Sequence, residues 1–175
     1  MKVELKANGK TVQVEMTEEQ AKILGLVEER SRTGYERVEE TYYLVDVDDE
    51  ITNMKHNGQL DRDCYDVGNY YSNKTIAENN TRADRLLRQL RQWQALNDKS
   101  ISEKDWNDES KKKWFVAYSY GAEKLYADYY YIMRLPNTIY FATKEKAEEA
   151  IEVFKDELLW YFTEYVQRLD EVQND

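Results

Sequence analysis

A chain of 175 residues suits one compact domain, or two small halves sharing a core, and its 41% apolar and 13% aromatic content excludes global disorder despite 34% charged residues. One proline and six glycines exclude a long flexible linker or a low-complexity segment. A formal net charge of −10 disfavours bulk binding to duplex phosphate, which relies on cationic side chains displacing counterions.

The elements follow in chain order. Val3, Leu5, Val12 and Val14 alternate with polar residues around Asn8-Gly9, a pair that tolerates positive φ and marks a hairpin. Thr17-Glu18-Glu19-Gln20 has the form of a capping box, and it predicts a helix with Ala21, Leu24 and Val27 inward and an end near Gly34. Residues 38–47 are strand-like, Asp48-Asp49 is a turn, and Glu50 to Met54 a return strand. Lys55 to Gly68 is expected as a polar loop with a turn at Asn57-Gly58. Asn69-Tyr70-Tyr71 is then a short strand. Ser72 or Asn73 caps a long helix to about Leu96, with Ile76, Ala83, Leu86, Leu87, Leu90 and Trp93 as its buried stripe.

Residues 99–112 form a polar connector, in which Trp106 pins the loop to the body. Beyond it, Trp114 to Tyr120 and Leu125 to Met133 are strands, Leu135-Pro136-Asn137 turns, and Ile139-Tyr140-Phe141 is a third short strand. Thr143 caps a last helix running to about Leu169, whose apolar face carries Ala147, Ala150, Ile151, Phe154, Leu158, Tyr161 and Phe162. The expected fold is therefore α+β: an N-terminal hairpin and helix (1–35), a βββα-like unit (36–98), a connector (99–112) and a second βββα-like unit (113–175), with antiparallel sheets packed by long helices. At an offset of 70, Tyr70, Ala77 and Glu78 meet Tyr140, Ala147 and Glu148, which supports a duplicated unit.

Fifteen tyrosines suit half-buried pleated surfaces, so most are read as sheet packing and a few as contact residues. Cys64 is the only cysteine, so no internal disulfide forms. The alternating, charged Met1 to Lys6 run has no signal-peptide character, and no apolar run approaches the roughly 18 residues of a membrane span, so the expected location is cytoplasmic, with no membrane partner.

No catalytic apparatus stands out. His56 and Cys64 could pair as base and nucleophile, but nothing like a protease or hydrolase signature surrounds them; a turn histidine and an ordinary cysteine are the plainer reading. Asp46, Asp48, Glu50, Asp61 and Asp63 could hold a cation, yet a calcium loop needs glycine at its sixth position and Ile51 stands there. Gly68 and Gly121 are isolated turn residues rather than a phosphate loop. Neither a metal nor a cofactor is expected.

The charge is unevenly spread. Residues 36–68 hold ten acids against three bases, and residues 143–175 ten against four. The acids Glu36, Glu39, Glu40, Asp46, Asp48, Asp49 and Glu50 form one candidate contact block; Glu145, Glu148, Glu149 and Glu152 form another. Such blocks ordinarily keep a protein soluble, and they can also imitate nucleic acid. Arg82, Arg85, Arg88 and Arg91 recur every three residues and sweep half the circumference of the long helix, with Lys111-Lys112-Lys113 as an extension. They are read first as a solvated face or as ion-pair partners of the acidic block at 36–68, and alternatively as a phosphate-binding stripe.

Gly68-Asn69-Tyr70-Tyr71-Ser72-Asn73 before one helix, and Tyr140-Phe141-Ala142-Thr143 leading into the Glu/Lys/Ala run to Ala150, resemble small accessory proteins encoded by phages and prophages of Gram-positive bacteria. The resemblance implies an accessory phage gene product and carries no activity and no site residues. With the acidic blocks it leads to the expectation of an inhibitor, not an enzyme, that binds a host defence protein such as a CRISPR nuclease or a restriction enzyme. The alternatives are a phage structural or scaffolding protein, as a homodimer or larger assembly, and a nucleic-acid binder using the arginine helix.

Overall fold

The computed structural model describes residues 2–7, 10–17, 20, 33–39 and 41–171, and the chain divides into two compact units, Met1–Arg32 and Thr33–Asp175. In the first unit, β1 (Lys2–Ala7) pairs antiparallel with β2 (Lys10–Glu15), with Val3 opposite Val14 and Leu5 opposite Val12. Ala7 opposite Lys10 gives the register of a two-residue connection, as the alternation predicts. The Thr17 capping box is present: the Gln20 N–H donates to Thr17 Oγ1 (3.2 Å), and the Thr17 N–H donates to Gln20 Oε1 (3.0 Å). The Asn8-Gly9 turn and the helix positions Ala21, Leu24 and Val27 lie outside the described residues.

The second unit is built from the same local device used twice. In its first use, the hairpin β3 (Thr41–Val45) and β4 (Ile51–Lys55) is joined by one antiparallel bridge, Tyr43 to Tyr71. In the second, β5 (Lys113–Ser119) and β6 (Lys124–Tyr130) receive the bridge Trp114 to Phe141. Each bridge exchanges two backbone hydrogen bonds, at 2.8 and 2.9 Å for Tyr43–Tyr71 and at 3.0 and 2.7 Å for Trp114–Phe141. Two residues after each bridge the chain enters a helix: Asn73 accepts from the Ile76 N–H (3.1 Å) and Thr143 from the Lys146 N–H (3.3 Å). Ala77 and Ala147, at equivalent places in these helices, are both fully buried. The expected third strands are thus single bridges. Near the first bridge, the Asn69 side chain takes a strand's place, accepting from the Val45 N–H and donating to the Val45 carbonyl, both at 2.8 Å.

Other departures concern the helices. Residues 55–68 are not a polar loop: α1 (Gly58–Asp66) occupies them, with Asp61 and Cys64 buried one turn apart. The long helix α2 spans Lys74–Asn97 and buries Ile76, Ala77, Thr81, Ala83, Leu86 and Leu90, while Leu87 and Trp93 are only partly buried. A four-residue helix, α3 (Glu103–Trp106), lies in the connector. The last helix is two: α4 (Lys144–Val153) stops where Phe154 leaves helical geometry (φ −111°, ψ 20°), and α5 (Lys155–Thr163) follows. Val166 and Leu169 lie beyond α5. They pack on Tyr71, Ile76 and Ala77, and the Leu169 N–H donates to the Thr33 carbonyl at 3.0 Å.

The two halves share their interior. Leu86 and Leu90 of α2 pack with Phe141, Ala147, Ala150 and Leu158 in one cluster. Most tyrosines serve packing, as in the stacked Tyr42–Tyr70 pair with ring centroids 4.3 Å apart. Beside that pair, burial and then the neighbouring Asp61 push the Tyr42 hydroxyl well above its usual range. Gly34 is required by its surroundings: φ is +94°, and an added Cβ would lie 2.8 Å from Ile76 Cγ1. Gly34→Ala is expected to lower stability by more than about 1 kcal/mol, read as a fall in the urea midpoint at unchanged m-value.

Candidate functional site

The arginine helix meets the first acidic block directly. The tip of the β3–β4 hairpin turns at Asp49, which has positive φ (62°), and presents its carboxylate to α2. Arg85 Nε donates to Asp49 Oδ2 at 3.2 Å, and Arg88 pairs with the same oxygen. Burial opposes ionisation of Asp49, but the Arg85 hydrogen bond and the Arg88 charge outweigh it and hold the carboxyl below its usual range. One turn earlier, Arg82 makes a bidentate pair with Glu157 of α5 (2.8 and 3.0 Å) and stacks on Trp160, 3.9 Å from the ring centroid. Three of the four arginines therefore knit elements together. Arg91 is exposed and forms no ion pair among the described residues.

The first acidic block does not form one surface. Glu36 is a structural group: it accepts from the Thr33 N–H and hydroxyl, the Gly34 N–H and the Ser72 hydroxyl. Burial opposes its ionisation, but these hydrogen bonds prevail and hold the carboxyl down at about 2. Asp46 closes the hairpin turn by accepting from the Asp48 N–H (2.9 Å) and the Glu50 N–H (3.0 Å). Glu39, Asp48 and Glu50 are exposed, and Glu40 lies outside the described residues.

The second block holds together. Glu145, Glu148, Glu149 and Glu152 all line one groove of about 1080 Å³ between α4 and β6, whose walls also carry Leu125, Tyr126 and Ile151. Lys144 pairs with Glu148 (2.9 Å) and Lys146 with Glu149 (2.6 Å), while Glu145 and Glu152 form no ion pair among the described residues. Ala147 and Ala150 turn inward at 0% exposure, so this helix separates packing from charge cleanly.

The predicted Lys111-Lys112-Lys113 extension is not a surface strip. Lys111 pairs with Asp105, and Lys112 lies 4.1 Å from the Tyr129 ring centroid. Lys113 is 1% exposed, its ammonium held by the carbonyls of Asp108 (2.9 Å) and Tyr131. Trp106 does pin the connector, meeting Tyr140 edge-on at 5.0 Å. His56 Nδ1 faces Asp61 Oδ2 at 2.7 Å, and Cys64 is buried beside Tyr42 and Tyr70. Among the described residues there is no group of three or more His, Cys, Asp or Glu able to hold a metal, and no helix long and apolar enough to cross a membrane.

Comparisons of the chain with protein-family models, with curated proteins and with solved structures gave no match.

The Glu36 cage makes a pH prediction. Its folded pKa lies near 2 against the ordinary 4.5, so its stabilisation is present above about pH 4.5 and is lost as pH falls toward 2. Glu36→Gln should therefore destabilise the protein at neutral pH, and the gap in urea midpoint between wild type and variant should close on acidification. A gap that stays constant down to the acid limb would count against the cage.

Proposed function

We propose that this protein is a phage-encoded binding protein, with no enzymatic activity of its own, that inhibits a bacterial defence nuclease such as a CRISPR effector or a restriction enzyme. It acts in the bacterial cytoplasm by laying an acidic face into a cationic nucleic-acid channel. The observation that carries the reading is the groove between α4 and β6. Four carboxylates line it on a helix whose other side is packed, and aromatic and aliphatic groups lie beside them. From Glu145 to Glu152 the axis rises about 10 Å, close to three phosphate steps of one nucleic-acid strand. A cationic channel would meet carboxylates where it ordinarily meets phosphates, and Tyr126 and Val153, both partly or largely exposed, would add apolar contact. The resemblance of residues 68–73 and 140–150 to phage accessory proteins supplies the biological setting.

A scaffolding role through self-association has one observation in its favour: Tyr131, Ile132 and Met133 form an exposed apolar tip after β6. A mass that stays monomeric as concentration rises removes it.

The discriminating experiment is a tagged pull-down from a Gram-positive host lysate, with and without nuclease treatment. Wild type is expected to retain a stoichiometric nuclease after treatment. The variant carrying Glu145→Lys, Glu148→Lys, Glu149→Lys and Glu152→Lys is expected to lose it while keeping its circular dichroism and thermal midpoint. Undiminished capture by the folded quadruple variant would refute the acidic-face mechanism.

A further inference from the structure

We propose a second binding site on the opposite charge: the groove between the end of α2, the connector and residues 134–140 takes a nucleotide unit, a phosphate carried with a planar base. The groove holds about 570 Å³, within the range of small-ligand sites. Its lining includes Arg91 and Arg134 and no carboxylate, in a chain with 35 acidic residues. Both arginines are exposed, and neither forms an ion pair among the described residues. This sets Arg91 apart from Arg82, Arg85 and Arg88.

Three acids of the connector region, Asp98, Asp105 and Asp108, are engaged in contacts of their own. Asp98 accepts from the Lys99 N–H (2.7 Å) and the Ala142 N–H (2.7 Å). Asp105 is held by Ser102 and Lys111, and Asp108 by Ser110. At the end of α2 the Asp98 N–H donates to the Gln94 carbonyl (2.9 Å) and the Asn97 amide to the Trp93 carbonyl (2.8 Å). The buried Lys113 ammonium, held by carbonyls rather than by a carboxylate, lies 5.8 Å from the ring centroid of Trp106, which lines the groove. Two guanidinium groups thus line one concavity.

The chemistry of the walls narrows the ligand. The Arg134 guanidinium lies over Trp106 at 5.2 Å, an arrangement that orients its donor fork. A base can add a further layer to this stack while Arg91 and Arg134 take the phosphate oxygens. Gln94 and Asn137 offer amides at the rim for a base edge. A free nucleotide and a single strand present the same unit, so the test distinguishes them. The site shares no residue with the α4 groove, and its failure and that of the acidic-face reading show in different variants.

The test titrates the full chain at low salt with inorganic phosphate, adenosine monophosphate and a short fluorescein-labelled oligouridylate. Saturable binding is expected. Arg91→Ala with Arg134→Ala should weaken it about 100-fold, at about tenfold for each charge-assisted donor group. The lysine pair, R91K with R134K, should restore part of it, and the quadruple α4 variant should leave it intact. For the oligouridylate, the log–log salt slope should be about −1.4 for two phosphates. Equal affinity for mononucleotide and strand identifies a free-nucleotide site; much tighter strand binding identifies a single-strand site; both support the proposal. It is overturned if no probe binds saturably, if the folded double-alanine variant binds like wild type, or if polyglutamate competes as well as the oligouridylate.

Discussion

The arrangement of the Thr33–Asp175 unit depends on one backbone constraint imposed twice. A residue at the end of a loop exchanges two hydrogen bonds with the first strand of a hairpin, at Tyr71 and at Phe141, and the chain then has only a single residue before the helix cap. That short tether leaves the helix little freedom, so it must run back across the hairpin that anchors it. The alanines at 77 and 147 permit the approach, because a larger side chain there would hold helix and sheet apart. Since α2 is much longer than α4, its far half extends past its own hairpin. There Leu86 and Leu90 complete the interior of the second half. Two weak local units become one body because one helix overshoots.

The same overshoot decides the electrostatics. A long helix crossing both halves offers its polar side to whatever lies nearby: Glu157 of α5, then the Asp49 tip of the first hairpin, then the open groove beside the connector. Arginines at equal spacing thereby have three different fates. Those facing carboxylates act as cross-links, and exposed pairs of this kind contribute modestly in free energy while helping to set orientation. Among the described residues Arg91 forms no ion pair, and it lines the groove beside the connector. The acids divide in the same way: Glu36 and Asp46 hold turns, while the α4 carboxylates face outward as a set.

Much of the fold was legible because it is written locally. Alternation marked the hairpins β1–β2 and β5–β6, a strand-like run with its Asp48-Asp49 turn marked β3–β4, and cap residues at 72–73 and at Thr143 announced their helices within three residues. The α+β class followed from those elements. What was not legible depends on distant partners or on patterns too short to stand out. In α1, the buried pair Asp61 and Cys64 is hidden among charged residues behind Gly58, so the segment resembles a loop. The break at Phe154 carries no proline or glycine signal, and Val166 and Leu169 keep helical spacing although they belong to another cluster. The α4 acids could be foreseen as one wet face, because they share a helix. The pairing of Asp49 with Arg85 and Arg88 was foreseeable only as a type of contact, since which acid meets which arginine is fixed by how hairpin and helix cross. The groove of Arg91, Arg134 and Trp106 draws on three separate segments, and no spacing along the chain signals it.

The division of labour on α4 has an evolutionary reading. Ala147, Ala150 and Ile151 carry the packing, and the outward carboxylates are uninvolved in it. Point changes on the outer face can therefore retune its charge pattern without any repacking inside. Under the proposed function, a lineage in conflict with a changing adversary could alter the charge this face presents one codon at a time, with the scaffold intact at every step.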